Sequence, residues 1–167
     1  MRMGKARGPK VGQKEVYEGD RLKDLLCAIE REIEALKLST LDGLPVKLWY
    51  KQHFAIGVNE VTRALERMHP SGAGIDSQWQ PPKMKLQAVL VARDCHPKWL
   101  TKHLPELASS RNVPLLFVDD NKNGSLRLGE LVMVKTAIAV GIKDGGNSMN
   151  RVVEEFVGMS QKKEIFV

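Results

Sequence analysis

Gly57-Val58-Asn59-Glu60-Val61-Thr62-Arg63-Ala64-Leu65-Glu66-Arg67 carries two opposed faces in one short run. Val58, Val61, Leu65 and Met68 keep the 3.6-residue period of an amphipathic helix, so one stripe is destined for a core. Asn59, Arg63 and Arg67 are spaced at four and fall elsewhere on the cylinder, together with Glu60. Gly57 precedes the first turn. It removes a side chain where unpaired helix N–H groups lie open to an anion or a nucleic-acid backbone.

The second face mixes an amide, a carboxylate and two guanidinium forks. A carboxylate is a poor partner for phosphate but a good acceptor for the amino and imino edge of guanine. An amide both donates and accepts, which suits bases in non-Watson–Crick pairs, and arginines hold backbone phosphates or base edges. The same spacing also describes an ordinary surface helix with weak Glu–Arg pairs. Spacing alone leaves both readings open.

Outward from this run the chain alternates helical and extended patterns. Upstream, Leu22, Leu25, Leu26, Ile29, Ile33 and Leu36 predict a helix over 21–38, with Asp20 as N-cap. It either packs across a sheet or binds a partner. Asp42-Gly43-Leu44-Pro45 reads as a turn, and 46–50 as a short strand or irregular segment whose Trp49 or Tyr50 joins the core. Downstream, His69 to Lys85 carries Pro70, Gly72, Gly74, Pro81 and Pro82 and reads as a long break containing Trp79. Then follow a strand at 86–92, a helix at 97–110, a strand at 114–118, a short helix at 125–131 and a strand at 136–142. Pro97 suits a first helical turn, and Pro105 kinks or ends that helix. A last amphipathic segment spans 149–157. The expected fold is α/β, a three-layer α-β-α sandwich with a mixed central sheet and an N-terminal helical extension.

Composition supports one domain. The 167 residues are 43% hydrophobic, enough for a single core. No apolar run reaches the roughly 18 residues of a membrane span, and the basic N-terminus lacks the apolar stretch of a secretory signal. Cys27 and Cys95, far apart, form neither a disulfide framework nor a zinc pattern, which suggests a reducing compartment. Charge is unevenly placed. Arg2, Lys5, Arg7, Lys10 and Lys14, with no acid among residues 1–14, supply five of the six net positive charges. Such a segment contacts phosphate non-specifically, carries a nuclear address, or only aids solubility.

Asp119-Asp120-Asn121-Lys122-Asn123-Gly124-Ser125-Leu126-Arg127-Leu128-Gly129-Glu130 fits a calcium-loop pattern at several positions. Its context opposes that reading. A buried strand, Pro114 to Val118, precedes it where a helix belongs, and only Asp119 and Glu130 supply carboxylates at ligand positions. A strand-to-helix turn with Ser125 as N-cap is the better expectation. No metal site and no cofactor are expected. Neither a phosphate-binding glycine loop nor a nucleophile–base arrangement is evident, and His53, His69, His96 and His103 are scattered, so an enzyme is not expected.

The run from Gly57 to Arg67 resembles the signature of the kink-turn RNA-binding ribosomal-protein superfamily. Similarity continues in order through Leu86 to Ala92, Asp94-Cys95-His96-Pro97, His103 to Leu107, Asn112-Val113-Pro114 and Leu128-Gly129 to Ile142. Ala55-Ile56-Gly57 through Arg67, with Val134-Lys135 and Ala139 to Ile142, is most similar to the protein-subunit family of ribonuclease P and ribonuclease MRP (Pop-three or thirty-eight-kilodalton type). The resemblance implies a domain over 45–145 with an insertion at 69–85, flanked by a flexible basic arm (1–19), an N-terminal helix and turn (20–44), and a C-terminal helix and tail (146–167).

The same resemblance implies a non-catalytic subunit that stabilises a G·A-containing RNA bend. Gly57 and Val58 would admit the helix start to the groove, and Asn59 and Glu60 would read the sheared pairs. Arg63, Arg67 and Lys135 would hold phosphates, while Val132, Met133, Val134 and Leu100 would press on an extruded base. Expected partners are structured RNA and other subunits of a ribonucleoprotein in the nucleus or nucleolus, with no membrane and no small-molecule substrate. A ribosomal or small nucleolar particle protein, or a protein-interaction module on the same fold, are the alternatives. Two positions depart from the family pattern: His96 stands where an acid is common, and Asp119-Asp120 where basic residues are usual.

Overall fold

The computed structural model describes residues 15–68 and 85–165, with the side chains of 15 and 159–165 excepted. The elements run β1 (Glu15–Glu18), α1 (Gly19–Thr40), α2 (Val46–His53), β2 (Phe54–Ile56), α3 (Val58–Arg67) and β3 (Leu86–Ala92). A 3-10 turn (Lys98–Thr101) follows, then α4 (Leu104–Ser110), β4 (Leu115–Asp119), α5 (Gly124–Leu131), β5 (Ala139–Lys143) and α6 (Ser148–Ile165).

The strands form one sheet in the order β1-β4-β3-β5-β2. β1 and β3 both pair parallel with β4, whereas β5 pairs antiparallel with β3 and β2. β3 and β4 are covered on both faces, which explains why Leu86 to Ala92 reads as a continuous apolar run rather than an alternating one. Along β3, Ala88, Leu90 and Ala92 join the core layer beneath α1, α2, α5 and α6. Val89 and Val91 join the layer beneath α3 and α4. The period-2 pleat thus divides one apolar strand between two cores, and the mixed sheet lies between two helical layers.

The N-terminal helix packs across the sheet: Leu22, Leu25, Leu26, Ile29 and Ile33 are buried in the layer that also holds Met149 and Val153 of α6. Several local expectations change. Glu18, not Asp20, is the N-cap residue of α1, and Asp20 lies in the first turn. Residues 15–18, counted within the basic arm, form β1, whose main chain covers the edge of β4. Residues 46–50 are helical, because Trp49 and Tyr50 are buried from a helix running to His53. The Trp49 indole N–H donates to Thr40 Oγ1 at 2.8 Å, tying α2 to the end of α1.

The single helix expected over 97–110 is a 3-10 turn followed by α4. Pro105 lies in the first turn of α4, where the missing N–H costs nothing, so it starts a helix instead of ending one. β5 begins at Ala139, later than expected. The remainder of the arm (1–14), the break at 69–84 and Trp79 lie outside the described residues.

The acidic stretch after β4 is a strand-to-helix turn. Asp119 Oδ2 faces Arg93 Nη1 at 3.8 Å and Asp120 Oδ2 faces Arg127 Nη1 at 3.9 Å. Ser125 is not the N-cap; that position is Asn123. Instead the Ser125 N–H and hydroxyl both donate to the Asp94 carboxylate, at 3.0 Å each. A carboxylate from the end of β3 therefore caps α5 from outside the helix.

Candidate nucleic-acid interface

Sheet topology gathers one set of ends. The C-terminal ends of β1, β3 and β4 meet the N-terminal end of β5 and the C-terminal end of β2. α3 begins at this edge, and the segment between α5 and β5 arrives there.

Gly57 sets the start of α3. Its φ of 100° and ψ of 157° are closed to L side chains, so the backbone itself demands glycine. The Gly57 N–H donates to Ala139 O at 2.8 Å, and its carbonyl accepts from Val61 N at 3.0 Å. No side chain caps this end, which leaves first-turn N–H groups for an external acceptor.

Packing then fixes the rotation of the helix. Val61 and Leu65 are fully buried, Thr62 Oγ1 lies 2.8 Å from His103 Nε2, and Arg111 Nε donates to Leu65 O at 2.8 Å. With that stripe held against α4, Asn59, Glu60, Arg63 and Arg67 are exposed and Val58 is half-buried. None of the four polar side chains has an internal hydrogen bond or ion pair among the described residues. The helix thus offers an amide, a carboxylate and two guanidinium groups with their bonding capacity unspent.

The segment after α5 is shaped by Gly129. A Cβ there would lie 2.7 Å from Lys135 O, so only glycine lets the chain fold back over the helix end. Val134 N–H returns to Gly129 O at 2.9 Å, and Met133 takes a left-handed φ of 63°, the usual close of a helix C-terminus. Met133 is 66% and Val134 39% exposed, and Lys135 is exposed.

Val132 does not share that surface. It is 1% exposed and packs with Leu128 and Leu131 in the core, because it still follows the helical phase of α5. Contrary to the expectation from sequence, its side chain is closed to an RNA partner. Ala92 N–H donates to Ile138 O at 2.8 Å, so the segment enters β5 between the exit of β3 and the start of α3.

Leu100 lies partly exposed on the 3-10 turn. Two further residues at this edge escaped the sequence reading. Arg93, 51% exposed at its side chain, leaves the end of β3; its position directly after the apolar run to Ala92 was the available signal. Trp99 stands on the 3-10 turn and is exposed. Cys95, at the root of that turn, is buried, and desolvation, aided by the Asp94 charge, pushes its thiol above the ordinary range. Among the described residues, no group of three or more His, Cys, Asp or Glu could hold a metal ion.

The family model described as "Ribosomal protein L7Ae/L30e/S12e/Gadd45 family" matches residues 82–152. The chain carries a domain of this family. It is 34% identical over 123 residues to human (Homo sapiens) ribonuclease P protein subunit p38, covering 70% of this chain and 37% of that protein. It is 31% identical over 107 residues to the mouse (Mus musculus) protein of the same name, covering 64% and 31%. The chain thus spans about a third of the length of these curated relatives. Among solved structures, the Giardia lamblia 15.5kD RNA binding protein matches with a TM-score of 0.56 and 21% identity, covering 87% of this chain and 92% of that one. That likeness concerns the fold: an L7Ae/L30e-type sheet and helices, with an N-terminal helix present in this chain.

Proposed function

We propose that this chain is a non-catalytic RNA-binding subunit that holds a kink-turn, or a related G·A-containing bend, in its folded form. The observation that carries this is the exposed start of α3, where Asn59, Glu60, Arg63 and Arg67 find no partner among the described residues. Asn59 and Glu60 hydrogen-bond the sheared G·A edges. Arg63, Arg67 and Lys135 hold phosphates, and Met133, Val134 and Leu100 cover an extruded base. Gly57 keeps the helix start free of any side chain that would obstruct the approach. Binding free energy is spent on the bent conformer, so the protein shifts the RNA population instead of performing chemistry.

The similarity to ribonuclease P subunits supports placement in a ribonuclease P/MRP-type particle acting in tRNA and rRNA processing, with other protein subunits as partners, in the nucleus and nucleolus. Asp119 and Asp120, which would repel phosphate if unpaired, each face an arginine, which softens the departure from the family's basic pattern.

The test is binding at fixed salt to a kink-turn RNA and to a control whose G·A pairs are made Watson–Crick, for wild type and an Asn59→Ala/Glu60→Ala variant. Tight binding that depends on the G·A pairs and vanishes in the variant supports the reading. Equal, weak, salt-sensitive binding to both RNAs sinks it and favours a protein-interaction module.

A further inference from the structure

The apolar residue at the interface edge that the reading above leaves without a task is Trp99. It sits on a short turn anchored at both ends. Cys95 before it is buried, with its Sγ 3.5 Å from Pro97 O. Leu104 after it, the first residue of α4, is fully buried in the layer that holds Val61 and Leu65 of α3, and His103 is tied to Thr62. Backbone bonds from Leu100 N to Pro97 O and from Lys102 N to Trp99 O close the turn. Between these anchors the indole is 68% exposed, and no ring contact, hydrogen bond or ion pair engages it among the described residues. An indole is among the largest apolar surfaces a side chain offers, and here a fixed turn holds it in water.

Its surroundings favour an anionic partner. Residues 95–103 contain Lys98 and Lys102, two histidines and no acidic residue. The bond between His103 and Thr62 sets the turn against α3 one residue from Arg63, whose guanidinium is unpaired among the described residues. An exposed aromatic side chain on a turn that also carries two lysines suits an unpaired nucleotide, since every base presents a π-face and carries a phosphate with it.

We infer that Trp99 is a stacking platform for an unpaired nucleotide flanking the RNA bend held by α3. This rests on the RNA reading above and extends it: the site prefers a bend with a single-stranded neighbour over one enclosed by paired stems. Lys98 and Lys102 hold the phosphates of that neighbour.

The test compares two RNAs with the same G·A bend, one carrying unpaired flanking nucleotides and one fully paired there. Wild type, Trp99→Ala and Trp99→Phe are measured beside the Asn59→Ala/Glu60→Ala variant. Loss of one stacked base lowers affinity roughly tenfold or more. Trp99→Ala is expected to show that loss only on the RNA with unpaired nucleotides, and Trp99→Phe to recover most of it. Because the indole is exposed, both variants fold, which circular dichroism checks. Equal affinity of Trp99→Ala and wild type on both RNAs overturns the platform, as does an equal loss on both. Loss of protein-partner binding with RNA affinity intact would do the same, by assigning the indole to a protein. If the Asn59→Ala/Glu60→Ala variant binds both RNAs normally, the G·A reading fails by itself, while the Trp99 comparison is still read from the flanking-nucleotide difference.

Discussion

Asn59 and Asn150 each occupy the first turn of a helix, at opposite ends of the sheet, and the structure treats them in opposite ways. Asn150 is 4% exposed. Its Nδ2 donates to Gln87 Oε1 at 2.7 Å and Lys143 O at 2.9 Å, and its Oδ1 accepts from Gly145 N and Asn147 N. Asn147 Oδ1 accepts the Asn150 N–H in return, a reciprocal cap at the start of α6. Asn59 stands in water with no internal bond among the described residues. One amide is consumed by the fold; the other keeps its bonding capacity unspent among the described residues. The contrast extends beyond the pair: the far end closes on itself through Gln87, Lys143 and Asn150, while the near end gathers N–H groups without a side-chain cap, guanidinium groups unpaired among the described residues and an exposed indole.

The sharpest way to break this comparison is to exchange the losses. Asn150→Ala leaves four groups without their partner, Gln87 Oε1, Lys143 O and the N–H groups of Gly145 and Asn147, costing about 2–3 kcal/mol of stability, a fall of roughly 4–12 °C in Tm. Asn59→Ala should change stability by less than about 0.5 kcal/mol. Thermal unfolding of both variants reads the difference, and comparable losses would erase the distinction.

Next in size is the effect on recognition. Glu60→Ala should cost about 1–3 kcal/mol of affinity for the G·A bend and abolish discrimination against the paired control. Discrimination preserved in that variant counts against the assigned reading site.

Val132 and Met133 make the same contrast within two adjacent residues. Val132→Ala should lose about 1.5–2 kcal/mol of stability from buried methyl surface with little effect on RNA affinity beyond unfolding. Met133→Ala should do the reverse. Denaturant unfolding alongside RNA titration separates them. Gly57→Ala acts through the backbone alone: its Cβ meets nothing within 4 Å, but the conformation at φ 100° and ψ 157° is closed to it, at about 1–3 kcal/mol. Relaxation of that strain would tilt the start of α3, so RNA affinity should fall together with stability.

The mildest measurement needs no mutation. At neutral pH a maleimide should label exposed Cys27 well before Cys95, whose thiol is buried and held protonated by desolvation. Fast labelling of Cys95 would show that the turn bearing Trp99 is not anchored.

Much of this was legible in advance, for reasons that differ by element. β3 was found because burial on both faces leaves an unbroken apolar run, and α1 and α3 because their apolar stripes keep helical phase. α2 was missed because its two buried aromatics are adjacent, a pattern as compatible with an irregular segment as with a single exposed-then-buried helical turn. β1 was missed because four residues with two glutamates carry no strand signal; the free edge of β4 recruits them. The cap of α5 was misassigned because Asp94 lies far from Ser125 in sequence.

Sequence by itself determined the residue types at the start of α3, the glycine before it and the alternation of elements that makes an α/β layer. These are local or periodic properties, which a one-dimensional string carries in full. Only the tertiary structure decided which polar groups remain unspent. Bonding capacity depends on partners brought from distant positions: Gln87 reaches Asn150, Asp94 reaches Ser125, and none of the described residues reaches Asn59 or Glu60. Helical phase at the end of α5 buried Val132 and exposed Met133, and the pairing of β5 with β2 and β3 brought that segment to the same edge as Gly57.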